Sequence, residues 1–245
     1  MALNHDPTIA SPPAAPSSST EVAPPAAKPP GYVRRFRVAL IGAIPAMVAV
    51  VAWAVVSQLI WPSGEISDAW QPIEADGMSI ELPNSFDVFT DAPEAAEWFA
   101  DSPVTAVQEI GRTIEQNPEW FVLLAGHDVE EGQFGASILV MGNPLFGTIE
   151  DPARAFAEMA VPVMEQNGLT ILTNEDATVG TDGYSAVSIA FEAEAEGVPD
   201  TRGVSYVVDG GSMLWILEFS VPAEYYDTFE PVFERAVASL DLPGP

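Results

Sequence analysis

The chain has 245 residues, a net charge of −28 and no cysteine. That length suits one domain of ordinary size with a tail and an anchor. Without Cys there is no disulfide, no thiolate metal site and no lipid-modified cysteine, so the folded part is held by its core. Charge this acidic argues against nucleic acid, which is bound through Lys and Arg on phosphates, and against an anionic lipid surface.

The charge is unevenly spread. Residues 1–62 carry Lys28, Arg34, Arg35 and Arg37 against Asp6 and Glu21, a net of +2. The remainder sets Arg112, Arg154, Arg202 and Arg235 against 34 acids, a net of −30. Three readings of the acidity stand: solubility or adaptation to salt, a basic protein or cell-wall polymer as partner, and divalent cation binding.

In chain order, residues 1–37 form a tail with a basic end. Its stretch 7–30 is rich in Pro, Ala, Ser and Thr, has too little apolar bulk to offset chain entropy, and is expected to be disordered. Pro13-x-x-Pro16 matches a polyproline ligand pattern that such tails also produce by chance. Val38 to Trp61 then runs 24 residues without a charge, against the about 20 apolar residues a span requires. Arg34, Arg35 and Arg37 precede it, and no Lys or Arg follows for 50 residues. The positive-inside rule places the N-terminus in the cytoplasm and the acidic part outside. Tyr32 and Trp61 fall near the interfaces, and Pro45 predicts a kink. The rival reading is a cleaved signal at Ala52-Trp53-Ala54, but the apolar run outlasts the roughly 7–15 residues of a signal core. Ala39, Gly42, Ala43 and Ala46 place small residues at helical spacing.

Residues 62–72 read as a linker and 73–245 as an acidic extracytoplasmic domain. Met78 to Leu82 alternates as a half-buried strand that Pro83 ends. Phe86, Val88 and Phe89 continue as a short strand. A helix is predicted over 102–117, with Ser102 as N-cap, Pro103 in its first turn and Val104, Val107, Ile110 and Ile114 on one face. Trp120 to Ala125 is of strand length. Gly126 to Gly132 reads as a turn carrying His127, Asp128, Glu130 and Glu131. Phe134 to Met141 is the next strand and Gly142-Asn143-Pro144 a break.

Asp151 is placed to cap a second helix, with Pro152 at its first position and an apolar stripe of Phe156, Met159, Ala160, Val163 and Met164. Asn167-Gly168 suits a left-handed C-cap, and Pro162 is expected to bend the helix. Four strands follow: 169–173, 184–194, 203–209 and 212–221. Val187, Ile189, Phe191 and Ala193 share one face of the second. Asp209-Gly210-Gly211-Ser212 is a tight-hairpin signal. A last helix over 223–240 carries Tyr226, Phe229, Phe233, Val237 and Leu240 at helical spacing, interrupted by Pro231. Hairpin-linked strands with segregated helices make this α+β, a mainly antiparallel sheet flanked by helices.

The opening Asp76-Gly77-Met78-Ser79-Ile80-Glu81-Leu82-Pro83, the late hairpin Val207-Val208-Asp209-Gly210-Gly211-Ser212-Met213-Leu214 with Phe219-Ser220-Val221-Pro222, and the closing Val237-Ala238-Ser239-Leu240 resemble the Mog1/PsbP-like fold of PsbP, DcrB and LpqN-type proteins, over about residues 70–242. The resemblance implies an α/β/α sandwich and a non-enzymatic accessory or binding module. It carries no site residue to this chain.

The search for chemistry gives no catalytic, cofactor or metal residue. There is no G-x-S-x-G elbow, no P-loop and no dinucleotide fingerprint. A triad could use only His127. His127, Asp128, Glu130 and Glu131 could hold a cation, but a hydrated surface turn is the better reading. Glu192, Glu194 and Glu196 share a strand face that could bind calcium weakly or be simply solvated. Paired carboxylates for glycoside cleavage carry no signal among so many acids. Trp98, Trp120 and Trp215 read as core or partly buried residues. The expectation is therefore a membrane-anchored, extracytoplasmic, non-enzymatic module that binds another envelope protein or polymer. A carboxylate-based hydrolase and a cation-responsive domain are the alternatives.

Overall fold

The computed structural model describes residues 65–100, 105–127, 135–145, 149–194 and 200–243. The tail, the expected span 38–61, and Ser102, Pro103, Asp128, Glu130, Glu131 and Glu196 lie outside the described residues. No described helix is long and apolar enough to cross a membrane.

Nine strands are described: β1 Trp70–Ala75, β2 Met78–Pro83, β3 Asp87–Phe89, β4 Phe121–His127, β5 Ala136–Pro144, β6 Leu169–Val179, β7 Tyr184–Ala193, β8 Thr201–Asp209 and β9 Met213–Pro222. The helices are α1 Ala92–Ala100, α2 Thr105–Gln116, α3 Pro152–Gln166 and α4 Tyr226–Ala238. Strands β1 and β2 form a separate hairpin, and the rest build an antiparallel sheet in the order β3-β4-β5-β9-β8-β7-β6. The expected α+β class and flanked antiparallel sheet are observed.

Alternation along β9 divides the core. Trp215, Leu217, Phe219 and Val221 face α4 and the β1–β2 hairpin, where they meet Met78, Ile80, Leu82, Phe229 and Phe233. Leu214 and Ile216 face the opposite side, under Phe156, Ala160 and Met164 of α3. A third cluster packs Ala95, Ala96 and Phe99 of α1 on Leu124 and Leu139. Each fully buried large apolar side chain contributes about 1.5–3 kcal/mol by leaving water, and these three clusters fix which face every helix covers.

Local chemistry follows the residues. Asp151 accepts from the Arg154 N–H at 3.0 Å, and Pro152 opens α3. Gly168 ends that helix with φ +91°. In the hairpin, Gly211 has φ +78° and its N–H donates to Asp209 Oδ1 at 2.9 Å. The end of α4 is docked on β2: the Glu81 N–H donates to Ser239 Oγ at 2.8 Å, and Ser79 and Asp241 exchange backbone bonds at 2.8 Å.

Four expectations are corrected. The linker ends inside a strand, since 70–72 belong to β1 and pair with 81–83 of β2. Helix α1 was not expected, because its Ala-rich sequence shows little periodicity; Asp91 caps it by accepting from the Glu94 N–H. Gly142, Asn143 and Pro144 do not break β5 but pair with Trp215, Leu214 and Met213. Strand β6 runs to Val179, well past Thr173, with a register shift between Ile171 and Thr173.

Candidate functional site

The first candidate is a groove between α1 and α2. These helices touch where Gly111 lies under Phe99 and Ala96: a Cβ there would sit 2.8 Å from Phe99 Cβ and 2.9 Å from the Ala96 carbonyl. The close crossing leaves a cleft beside it of about 420 Å³, floored by Ala92, Ala96, Ala100 and Ile114. That volume is within the about 300–1,000 Å³ of small-molecule pockets. Glu97 and Glu115 stand exposed on its walls. Behind the groove, Trp98 stacks edge-on against Phe99 at 5.0 Å and lies 5.7 Å from Phe89. These aromatics pack α1 on the sheet edge, beside a groove with an apolar floor and acidic walls.

The residues weighed in the sequence are placed differently from one another. His127 does not lie in a turn. It is in β4 and 2% exposed, stacked on Phe86 at 5.6 Å and near Phe229 at 6.3 Å. Its Nδ1 donates to the Ser85 carbonyl at 3.0 Å. It is a core histidine packed against two aromatic rings. Glu192 pairs in register with Arg202, and the Arg202 guanidinium lies 4.0 Å over the Tyr226 ring. Among the described residues, no group of three His, Asp or Glu side chains could hold a metal. Trp215 is buried at 1% exposure, Trp98 packs partly buried against the α1 cluster, and Trp120 is half-buried.

The groups with altered proton affinity cluster on β8, β9 and α4. Burial raises the Tyr206 hydroxyl, with Glu234 adding to it. Burial also raises Tyr226, with Glu230 adding and Arg202 opposing. The larger effect is at Glu218, where burial alone pushes the carboxyl well above its usual range. Glu218 is 1% exposed, and neither of its oxygens has a hydrogen-bond partner. It sits on a central strand between Leu139 of β5 and Ser205 of β8. Sequence reasoning missed it. The available signal was one acid inside the apolar run Leu214-Trp215-Ile216-Leu217-Glu218-Phe219, in a segment already read as a strand. A glycosidase-like pair needs a second converging acid, but the cavity around Glu218 is walled by Phe156, Ala160, Met164, Ile189 and Val207.

No family model matches the sequence, and no curated protein matches it significantly. Solved structures similar to it include the cyanobacterial PsbP, CyanoP, of Synechocystis (14% identity, 73% of this chain and 94% of that one, TM-score 0.44). LpqN of Mycobacterium tuberculosis, described as involved in cell envelope biogenesis, is similar at 11% identity over 72% of this chain and 91% of that one, with a TM-score of 0.43. The yeast Ran-binding protein Mog1p of Saccharomyces cerevisiae is similar at 10% identity over 74% and 97%, with a TM-score of 0.41. These are proteins of the Mog1/PsbP-like fold that the first strand, the late hairpin and the closing helix resemble. At such identities and TM-scores the likeness says nothing of activity.

Proposed function

We propose that this chain is a single-pass membrane protein whose acidic domain is a non-enzymatic binding module outside the membrane. In this reading residues 38–61 are the anchor, residues 1–37 remain in the cytoplasm, and the groove between α1 and α2 takes an apolar segment with Lys or Arg at its flank on another envelope protein. The observation that carries the binding reading is the groove itself, with an apolar floor and Glu97 and Glu115 on its walls. Charge complementarity points to a cationic partner: a domain of −30 attracts basic surfaces and repels acidic ones. The charge asymmetry around residues 38–61 supports the orientation.

Two experiments test the two halves. The chain lacks Cys, so a single cysteine reports topology without background. An impermeant maleimide is expected to label Asp182→Cys in intact cells, and Ser17→Cys only after permeabilisation. The reverse pattern overturns the orientation. For the groove, a Leu/Lys amphipathic peptide is titrated into the full chain in nanodiscs. Binding is expected to weaken in Ala100→Leu, which fills the cleft without changing charge, and not to be competed by oligolysine. Equal binding by Ala100→Leu, or full competition by oligolysine, reduces the interaction to bulk charge and refutes the groove.

A further inference from the structure

Between α3 and the sheet lies a small cavity of about 10 Å³, lined by Phe156, Ala160 and Met164 of α3, Ile189 of β7, Ser205 and Val207 of β8, and Ile216 and Glu218 of β9. One water needs about 10–15 Å³ and two to four polar partners, so the space admits one water-sized occupant. Glu218 Oε1 and Oε2 lack hydrogen-bond partners, as do Arg202 Nε and Trp215 Nε1 on the same two strands, and Ser205 stands directly across from Glu218 in the β8–β9 register. Glu218 and Ser205 are the polar residues lining the space, and the remaining walls are apolar.

The same geometry decides the charge. A carboxylate taken out of water without a counter-ion or donor takes up a proton instead. The cavity walls from α3, β7 and β8 present no Arg, Lys or His, and no second acid, to Glu218. Leu139 is its neighbour on β5. Arg154, the cation on α3, is engaged with Asn174 and Asp176 of β6. Arg202 on β8 points to the opposite face, over Tyr226. Ser137 and Ser220, on the same face of β5 and β9, satisfy each other at 2.8 Å.

We propose that this cavity is an internal hydration site, in which one water bridges the acid form of Glu218 to the Ser205 hydroxyl, and that the proton on Glu218 is the latch that keeps α3 seated on the sheet. The carboxyl donates to the water or to Ser205 and accepts through its second oxygen, so every polar atom of the site is satisfied without a charge. Losing the proton places an unbalanced charge under Phe156, Ala160 and Met164, and the relief available is to admit more water by lifting α3. The sign follows from the direction of the shift: a carboxyl that holds its proton more tightly folded than unfolded stabilises the fold fully below the ordinary Glu range, and that contribution is lost as pH rises through the folded titration. This inference is independent of the groove and of the membrane topology.

The test compares the wild-type full chain and Glu218→Gln in detergent across pH. Gln keeps the shape and hydrogen bonding but cannot ionise. The melting temperature of Glu218→Gln minus that of wild type is expected to be constant at acid pH and to climb as pH rises above the ordinary Glu range, because the other titrating groups cancel. Amide exchange over Phe156–Met164 is expected to accelerate in wild type over the same pH range, beyond its intrinsic base catalysis. A flat difference overturns the latch. Should Glu218→Gln fail to fold, infrared spectra of wild type at neutral pH decide: a protonated-carboxyl band that shifts on ¹³C-labelling of Glu is expected, and its absence refutes the acid form. Water-to-methyl cross-relaxation at Met164 and Ile189 is expected, and a dry cavity, giving none, refutes the hydration site.

Discussion

Gly203 is the position where a single methyl group tests the packing of the whole sheet. It lies on β8 between Phe191 of β7 and Ser220 of β9. A Cβ there would fall 2.5 Å from Phe191 Cζ and 2.6 Å from the Phe219 carbonyl oxygen. Phe191 is 0% exposed, so its ring has no solvent to move into, and the carbonyl is held by the ladder. In an open strand, Gly→Ala stabilises by about 0.5–1 kcal/mol through backbone entropy. Here overpacking costs about 1–3 kcal/mol, and the backbone contact is one that no rotamer relieves. The net expectation for Gly203→Ala is a loss of about 1–2 kcal/mol, or about 2–8 °C in Tm for a domain of this size. Thermal and urea unfolding of the full chain in detergent, read by near-ultraviolet dichroism, measures it. Adding Phe191→Leu, which removes the ring but not the carbonyl, is expected to recover part of the loss, with a coupling of about 0.5–3 kcal/mol. If Gly203→Ala melts at or above wild type, the aromatic-over-glycine packing of β7 and β8 is wrong.

Other substitutions probe other levels. Asp151 caps α3 from a left-handed backbone, φ +53°; Asp151→Ala is expected to cost about 0.5–2 kcal/mol and Asp151→Gly only a few tenths, a ranking that helix exchange rates at α3 check. Gly211 turns the β8–β9 hairpin at φ +78°, so Gly211→Val is expected to cost about 1–3 kcal/mol while Gly211→Asn costs less, as read by urea midpoints. Arg235 lies 3.9 Å over Trp70 and 3.2 Å from Glu81, half-exposed; Arg235→Ala is expected to lose about 0.5–1 kcal/mol, mostly the ring contact, and Arg235→Lys to recover little, since ammonium does not stack. A change in Trp70 emission accompanies that loss if α4 holds the β1–β2 hairpin through this contact.

Much of the fold was legible because periodicity and turn chemistry agree along the chain. Met78–Leu82 alternates because one face of β2 meets the core and the other meets Ser239 and Arg235. Asp151-Pro152 and Asn167-Gly168 bracket α3 because a side-chain acceptor, a proline ring and a glycine each solve a helix-end problem locally. What was illegible depends on partners distant in sequence. Gly142-Asn143-Pro144 reads as a turn, yet β9 supplies it with partners from Trp215 back to Met213. Helix α1 has weak periodicity because Ala95 and Ala96 pack by being small, and what they pack against includes β3 and β4 residues on either side in sequence. His127 looks solvated beside acids until Phe86 and Phe229, 41 and 102 residues away, close over it.

The sequence by itself determined the charge asymmetry, the uncharged 24-residue run, the cysteine-free chemistry and the α+β order of elements, because each is a property of composition or of neighbours a few residues apart. Only the tertiary structure decided what the polar residues are. Folding β9 into the centre of the sheet under α3 turns Glu218 from one of many acids into a buried carboxyl without a hydrogen-bond partner. Pressing α1 on α2 at Gly111 turns four small or apolar residues into the floor of a groove. Burial and juxtaposition belong to the packed chain, and local residue patterns do not contain them.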